Sequence, residues 1–360
     1  MSETISRKTI LILLIFTAIT FSLWLCTKSA VHLSYWLFGI MFGIVLQHFG
    51  LCFVSSASDP FLTGSTSQFR GILVGILTAT LGITVIKYLS YGTLDFLNVY
   101  SISLPLMLGA FVFGTGMVLA GCCASGMFIR LAEGYTVHII TIISVIAGYL
   151  FASSHYKTVW SPFIAASPMV FMPEKFGWFI GVSINIAITL LIYFIAFKWE
   201  KHGSSSTSAT YLTGGILLGL LSIAHYIVLE SGWSVTGAFY WLKPFADMLI
   251  SGSTDIDFKS EEIFLSGIGS NLRNIALFAG ALLSAFYFSS FKFRRISSLK
   301  QTFRSISGGL LMGYGACIAG GCNITSFFTA AASLSLSAWV FMIFLFAGAF
   351  VGTRILFKLL

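Results

Sequence analysis

Charge is what this chain has least of. Of its 360 residues only 9% are Asp, Glu, Lys or Arg, and 12 are acidic. Carboxylates are scarce in the apolar stretches, which argues against a metal centre there, and no polar stretch is long enough for a separate catalytic or nucleic-acid-binding domain. There is no CxxC pair, which argues against dithiol redox chemistry. The six cysteines form no paired framework of the kind that staples small secreted domains, so free thiols are expected.

What remains is apolar. Hydrophobic residues make up 57% of the chain and aromatics 16%, and the mean hydropathy is +0.94. These values describe an all-α polytopic membrane protein, one transmembrane domain over residues 1–360. The net charge of +8 sits at the ends of hydrophobic stretches, where it reports orientation or meets membrane lipid; nucleic acid is not a partner. Ile10 to Leu25 has the form of a signal-peptide core, but no small-x-small cleavage site follows, and it reads as a retained helix.

Stretches that reach the ~20 residues needed to span, or fall a little short, lie near 9–27, 33–49, 70–90, 102–121, 136–156, 176–198, 210–229, 270–290, 305–320 and 336–357. Shorter apolar pieces at 50–62, 123–134, 322–333 and 235–251 read as half-helices or re-entrant segments. The run from Lys292 to Arg304 carries five basic residues and no acid, which places it in the cytoplasm together with Lys198 and Lys201. Asp255, Asp257, Glu261 and Glu262 then fall outside, and counting outward puts both termini inside.

One segment occurs twice. Gly109 to Gly126 reads GAFVFGTGMVLAGCCASG and Gly308 to Thr325 reads GGLLMGYGACIAGGCNIT. The charge count gives the two copies opposite directions, so the chain is expected to consist of inverted repeats, about 33–156 and 210–357, with 9–27 and 176–198 as additions. Broken helices of the two repeats would meet at the membrane centre, as in transporters. Gly114, Gly116, Gly313 and Gly315 fit close helix packing.

The steps Gly121-Cys122-Cys123 and Gly320-Gly321-Cys322 break their helices just before a polarisable side chain, and freed N–H groups at the next half-helix favour an anion. Cys123 and Cys322 then stand at two half-helix mouths, supported by Gly121, Gly320, Gly321 and Asn323. Cys122 fits either this role or that of a small buried hydrophobe, the reading that suits Cys26 and Cys317. A third thiol, Cys52, follows Gly50, and its counterpart in the second half is Ser231-Gly232-Trp233-Ser234, with serine in place of cysteine. Neutral thiols are weak donors that can meet a sulfur acceptor without trapping it. Among other polar residues in apolar surroundings, His48, His138, His225, Glu230, Asp247, Asn185, Asn271, Arg273 and Asn274 are functional candidates by default, while most lie near predicted span ends, where interface placement fits at least as well. Arg130 and Glu133 share a helix face at i, i+3 spacing.

Phe49-Gly50-Leu51-Cys52, LAGCCASG from Leu119, RLAEG from Arg130 and GYGACIAGGCNI from Gly313, in that order, resemble the YeeE/YedE family of bacterial sulfur-compound transporters over roughly residues 33–357. The resemblance implies an inner-membrane thiosulfate importer without enzymatic activity or cofactor. It also implies that Cys52, Cys123 and Cys322 pass the ion along by S–H hydrogen bonds, and that a cytoplasmic TusA-like sulfurtransferase is a partner. Cys122 stands where the family commonly has glycine. The alternatives are a permease for a related sulfur or selenium species and a membrane-embedded sulfurtransferase holding persulfide on Cys123 or Cys322.

Overall fold

Three helix starts in this chain are set by serine. The computed structural model describes residues 2–90, 92–200, 205–242, 244 and 261–359, all of it helix, turn or loop apart from three isolated bridges. The Ser29, Ser103 and Ser298 hydroxyls accept the N–H groups of His32, Leu106 and Gln301 at 3.4, 3.3 and 3.2 Å, satisfying one orphan donor at each of three helix starts.

The first part of the chain comprises α1 (Ser2–Lys28), α2 (Ala30–His48), α3 (Phe53–Leu62), α4 (Ser67–Leu89), α5 (Leu104–Ala120), α6 (Gly126–Ala132) and α7 (Val137–His155). Two short helices, Ser161–Ala165 and Met172–Phe176, lead to α8 (Trp178–Trp199). Then come α9 (Ser205–Leu229), a 3-10 turn at Thr236–Leu242, α10 (Glu261–Tyr287), α11 (Leu299–Ile318), the half-helix α12 (Asn323–Ala332) and α13 (Ser337–Leu359). The half-helices expected at 50–62, 123–134 and 322–333 are α3, α6 and α12. Part of the 235–251 piece, Asp247 included, the acidic loop at 255–257 and Lys201 lie outside the described residues.

Among the described residues seven helices are long and apolar enough to cross a membrane, eight if α11 and α12, bent by 47° at their break, count as one span. Ten were expected. The shortfall lies in α5, which is only 17 residues long, in the α11–α12 break, and in α10, whose apolar run is interrupted by Asn271, Arg273 and Asn274.

The core is organised around the crossing of α5 and α11. A Cβ built on Gly109 would sit 2.7 Å from the carbonyl oxygen of Gly315, and one on Gly315 would sit 2.6 Å from that of Gly109. Gly116 and Gly308 make the same reciprocal contact at 2.7 Å in both directions. Since 109 meets 315 and 116 meets 308, the two helices run antiparallel, in backbone contact that any side chain would prise apart. Outside this pair, Gly114 packs on Leu345 of α13 and Gly313 on Val145 of α7. The other extensive helix pairs are α2 with α10 and α4 with α9. Exchanging α2 for α9, α4 for α10, α5 for α11 and α7 for α13 returns the same set of pairs.

α8 is tied to this core at two points. Asn185, fully buried, donates to Ala331 O at 3.0 Å and accepts from Trp339 Nε1 at 3.0 Å, binding α8 to the end of α12 and to α13. At the other end, Glu200 Oε2 accepts from Thr66 N at 2.9 Å and from Thr66 Oγ1, Ser67 Oγ and Arg70 at 3.0 Å each, closing the start of α4. Burial alone would raise the Glu200 carboxyl; the Thr66 N–H, the Ser67 and Thr66 hydroxyls and the Arg70 guanidinium outweigh it and hold the group below the usual carboxylate range.

Candidate functional site

Of the helices that end at a glycine with positive φ, three carry a cysteine two residues later. Gly50 (φ 62°) precedes Cys52, Gly121 (φ 71°) precedes Cys123 and Gly320 (φ 77°) precedes Cys322. At α2 the stop is completed by Leu51 N–H donating to Leu46 O at 3.1 Å, the six-to-one bond that closes a helix C-terminus over a left-handed residue. Each cysteine then opens the next half-helix. Its carbonyl accepts the first helical bond, from Ser56 N to Cys52 at 3.0 Å, from Met127 N to Cys123 at 2.9 Å and from Ser326 N to Cys322 at 2.8 Å.

In the first half two thiols converge. A Cβ built on Gly126 would lie 3.1 Å from Cys123 Sγ and 3.8 Å from Cys52 Sγ, so the hydrogen of this glycine faces both sulfurs. The Gly126 N–H donates to Cys123 Sγ at 3.3 Å, and Ser125 Oγ lies 3.5 Å from the same sulfur. The backbone of Cys52 is held by Gln68, whose Oε1 accepts its N–H at 3.1 Å. Of the adjacent cysteines it is Cys123 whose sulfur faces Gly126 beside that of Cys52, while the fully buried Cys122 offers its Cβ.

In the second half one thiol meets hydroxyls. Cys322 Sγ lies 3.6 Å from Thr325 Oγ1, which donates to Ser234 Oγ at 2.9 Å. The serine expected opposite Cys52 therefore joins the Cys322 cluster through Thr325. Asn323, the first residue of α12, is fully buried, and neither its Oδ1 nor its Nδ2 has a hydrogen-bond partner among the described residues. An unsatisfied buried amide costs about 1–3 kcal/mol, so the Asn323 side chain favours a polar partner.

Behind this cluster stands a group that the sequence leaves open between a functional role and an interface. Arg273 and His225 are buried. His225 Nδ1 donates to Ser231 O at 2.9 Å, which leaves Nε2 to accept from Arg273 Nη1 at 2.8 Å, while Nη2 donates to Ser234 O. Asn274 Nδ2 donates to Val235 O at 2.9 Å and Asn271 to Ala238 O at 3.1 Å. The polar face of α10 thus holds the 231–238 segment in place, and the clustering Asn271-Leu272-Arg273-Asn274 was the available signal. In the first half, Arg130 and Glu133 pair at 3.0 Å as their spacing implied.

Cys26 is exposed and Cys317 is buried on the body of α11. Among the described residues no group of three or more His, Cys, Asp or Glu side chains is arranged to hold a metal ion.

A family described as sulphur transport matches residues 50–351 of the chain, from the turn before Cys52 into α13. The thiosulfate transporter TsuA of Spirochaeta thermophila is 28% identical over 341 residues, covering 89% of this chain and 98% of that protein. Escherichia coli TsuA, also a thiosulfate transporter, is 23% identical over 351 residues, 89% of this chain and 93% of its own length. The probable transporter YedE of Escherichia coli is 27% identical over 204 residues, 55% of this chain and 40% of that protein.

Proposed function

The chain belongs to the sulphur-transport family and is a multi-pass membrane transporter of sulfur compounds, not an enzyme; from that premise we propose that its cargo is thiosulfate, imported across a bacterial inner membrane between two inverted repeats. The observation that carries this reading is the convergence of the Cys52 and Cys123 sulfurs on Gly126, with Cys322 at the corresponding turn of the other half. Thiosulfate has a soft terminal sulfur and a hard, charged sulfonate. The thiols suit the first as weak S–H donors, and the Asn323 amide with the opening N–H groups of α12 suits the second. Successive weak sites let the ion enter and leave. Cytoplasmic termini and a cytoplasmic TusA-like acceptor belong to the same reading, supported by the basic run from Lys292 to Arg304. The helix pairing that survives exchange of the two halves supports the inverted repeat.

The test is uptake in a strain lacking other thiosulfate routes, with the two sulfurs labelled separately. Both labels enter equally if the intact ion crosses, and Cys52→Ala, Cys123→Ala and Cys322→Ala each lower uptake by about tenfold or more, the value of a lost buried hydrogen bond to a charged group. A covalent relay gives another pattern. A thiolate attacking the terminal sulfur would release sulfite and leave one label on the protein as a reductant-sensitive persulfide. Normal uptake by all three variants at normal expression refutes the thiol path.

A further inference from the structure

A polar cavity of about 340 Å³ lies beside the Cys123 turn and is not used by the thiol path. Its wall includes Gly121, Arg130, Tyr135, His138, Gln301 and Arg304. Two other cavities are lined largely by apolar side chains such as Phe21, Trp24 and Trp36, or Phe61, Phe69 and Phe346.

The sign of the field here is positive. The first turn of α7, through Val137 and His138, and the first two turns of α11, through Gln301 and Arg304, both contribute to the wall, so the N-terminal parts of two helices lie against the same space. Arg130 stands 5.6 Å from the centre of the Tyr135 ring and Arg294 stands 4.5 Å from it. Arg304 has no ion-pair partner among the described residues. The nearby acid is Glu133, already held by Arg130 at 3.0 Å and by Gln47 Nε2 at 3.4 Å.

Donors are also available. Gln301 turns its Oε1 back to accept from Ser297 N at 3.1 Å and Ser297 Oγ at 2.9 Å, which leaves its Nε2 hydrogens for a ligand. Gly121, the residue before Cys122 and Cys123, has nothing within 4 Å of the position a Cβ would take, so the turn that carries the thiol faces open space.

We propose that this cavity is a second, thiol-independent site that binds a tetrahedral oxyanion through Arg304, Arg130 and Gln301, a waiting position next to Cys123. The identity of its physiological ligand as thiosulfate rests on the transport reading; the oxyanion chemistry does not. On the orientation given by the basic loops it lies on the cytoplasmic side, where the ion is released. The site recognises charge and shape, so sulfate and thiosulfate bind alike, and salt weakens both.

The test uses the full-length protein purified in detergent, with labelled sulfate and labelled thiosulfate as probes at low ionic strength. The Cys52→Ala, Cys123→Ala, Cys322→Ala triple variant is expected to bind both ions, and Arg304→Gln in that background to weaken both by about tenfold, with Arg304→Lys in between. Arg304→Gln in the native chain gives the same loss for sulfate, so the result does not depend on the triple variant folding. Sulfate binding that is unchanged by Arg304→Gln in the native chain overturns the proposal. So does displacement of sulfate by added phosphatidylglycerol, which would assign the cavity to a lipid headgroup. A wild type that takes up no thiosulfate in cells while sulfate binding stays Arg304-dependent would sink the transport reading and leave this site standing.

Discussion

The two halves solve the same local problem with different atoms. Each stops a helix on a left-handed glycine, places a cysteine two residues on and opens a half-helix there. In the first half the space beside Cys123 is occupied by a second sulfur and a glycine hydrogen; in the second, the space beside Cys322 is occupied by the hydroxyls of Thr325 and Ser234. Both mouths hydrogen-bond their cysteine, Cys123 to the Gly126 N–H and Ser125 Oγ and Cys322 to Thr325 Oγ1. What separates them is the second sulfur of the first mouth and the linked hydroxyls of the second, a difference that an ion with one soft end and one hard end can use. Their supports differ too. Arg273 is 2% exposed and bonds a histidine ring and a backbone carbonyl, whereas the Arg130 side chain is 39% exposed and pairs with a carboxylate on its own helix.

That difference in support predicts the largest effect. Arg273→Met leaves His225 Nε2 and Ser234 O without their donor inside the protein, a loss of about 3 kcal/mol or more, seen as a lower unfolding temperature and poor recovery of folded protein in detergent. Arg130→Met should cost less than about 1 kcal/mol in the same measurement. Equal losses would mean that the halves are braced alike.

A smaller change breaks the soft mouth alone. In Gly126→Ala the new methyl must push Cys123 Sγ away from 3.1 Å, parting it from Cys52. Uptake is expected to fall by about tenfold with little loss of stability, because a single overpacked methyl costs on the order of 1 kcal/mol. Unchanged uptake kinetics would show that the convergence of the two sulfurs is dispensable.

On the hard side, Thr325→Val removes the link between Cys322 and Ser234. One neutral hydrogen bond is worth about 1 kcal/mol, so a rise of about fivefold in the uptake KM is expected. Ser234→Cys sharpens the comparison by giving the second half a nearby second sulfur, and sulfate should then compete less well against thiosulfate. If competition by sulfate does not move, the hydroxyls do not read the hard end.

The smallest effect concerns pH. Because the Glu200 carboxyl is held below its unfolded value, the anchor it makes with Thr66, Ser67 and Arg70 contributes fully above the ordinary carboxylate range, near ~4.3, and is lost as pH falls through the lower folded value. Thermal unfolding measured from pH 6 downward should show a drop in strong acid that Glu200→Gln lacks. A drop of the same size in both proteins would place its origin elsewhere.

Much of this arrangement is legible in the sequence. Hydropathy gives the helices, and the repeated GxGxxxAGxC segment gives the crossing and two of the three thiols, because a helix that must touch another backbone to backbone has to be written in glycine. The choice between Cys122 and Cys123 is not legible from composition. It follows from the turn, since the side chain that converges with Cys52 is the one two residues beyond the left-handed glycine, at the start of the next helical stretch. For Arg273 and His225 the sequence leaves a functional role and an interface open, for a related reason. Hydropathy treats a polar residue near a span end as seeking water, but here the re-entrant segment at 231–238 brings its own carbonyls into the interior, and a buried arginine is the donor they need. Ser234 was indicated by position alone, and Thr325, the residue that makes the connection, carries no sequence signal at all.

The reciprocal contacts of Gly109 with Gly315 and Gly116 with Gly308 have a mechanical meaning. Where two helices touch through side chains, rotamer changes let them roll; where they touch through main chain, there is nothing to re-sort. The crossing is therefore an axle without play, and a rocking motion that tilted one half against the other would have to lever these backbones apart. Passage of an ion is instead expected to move the tips, at α3, α6 and α12, about a stationary hub.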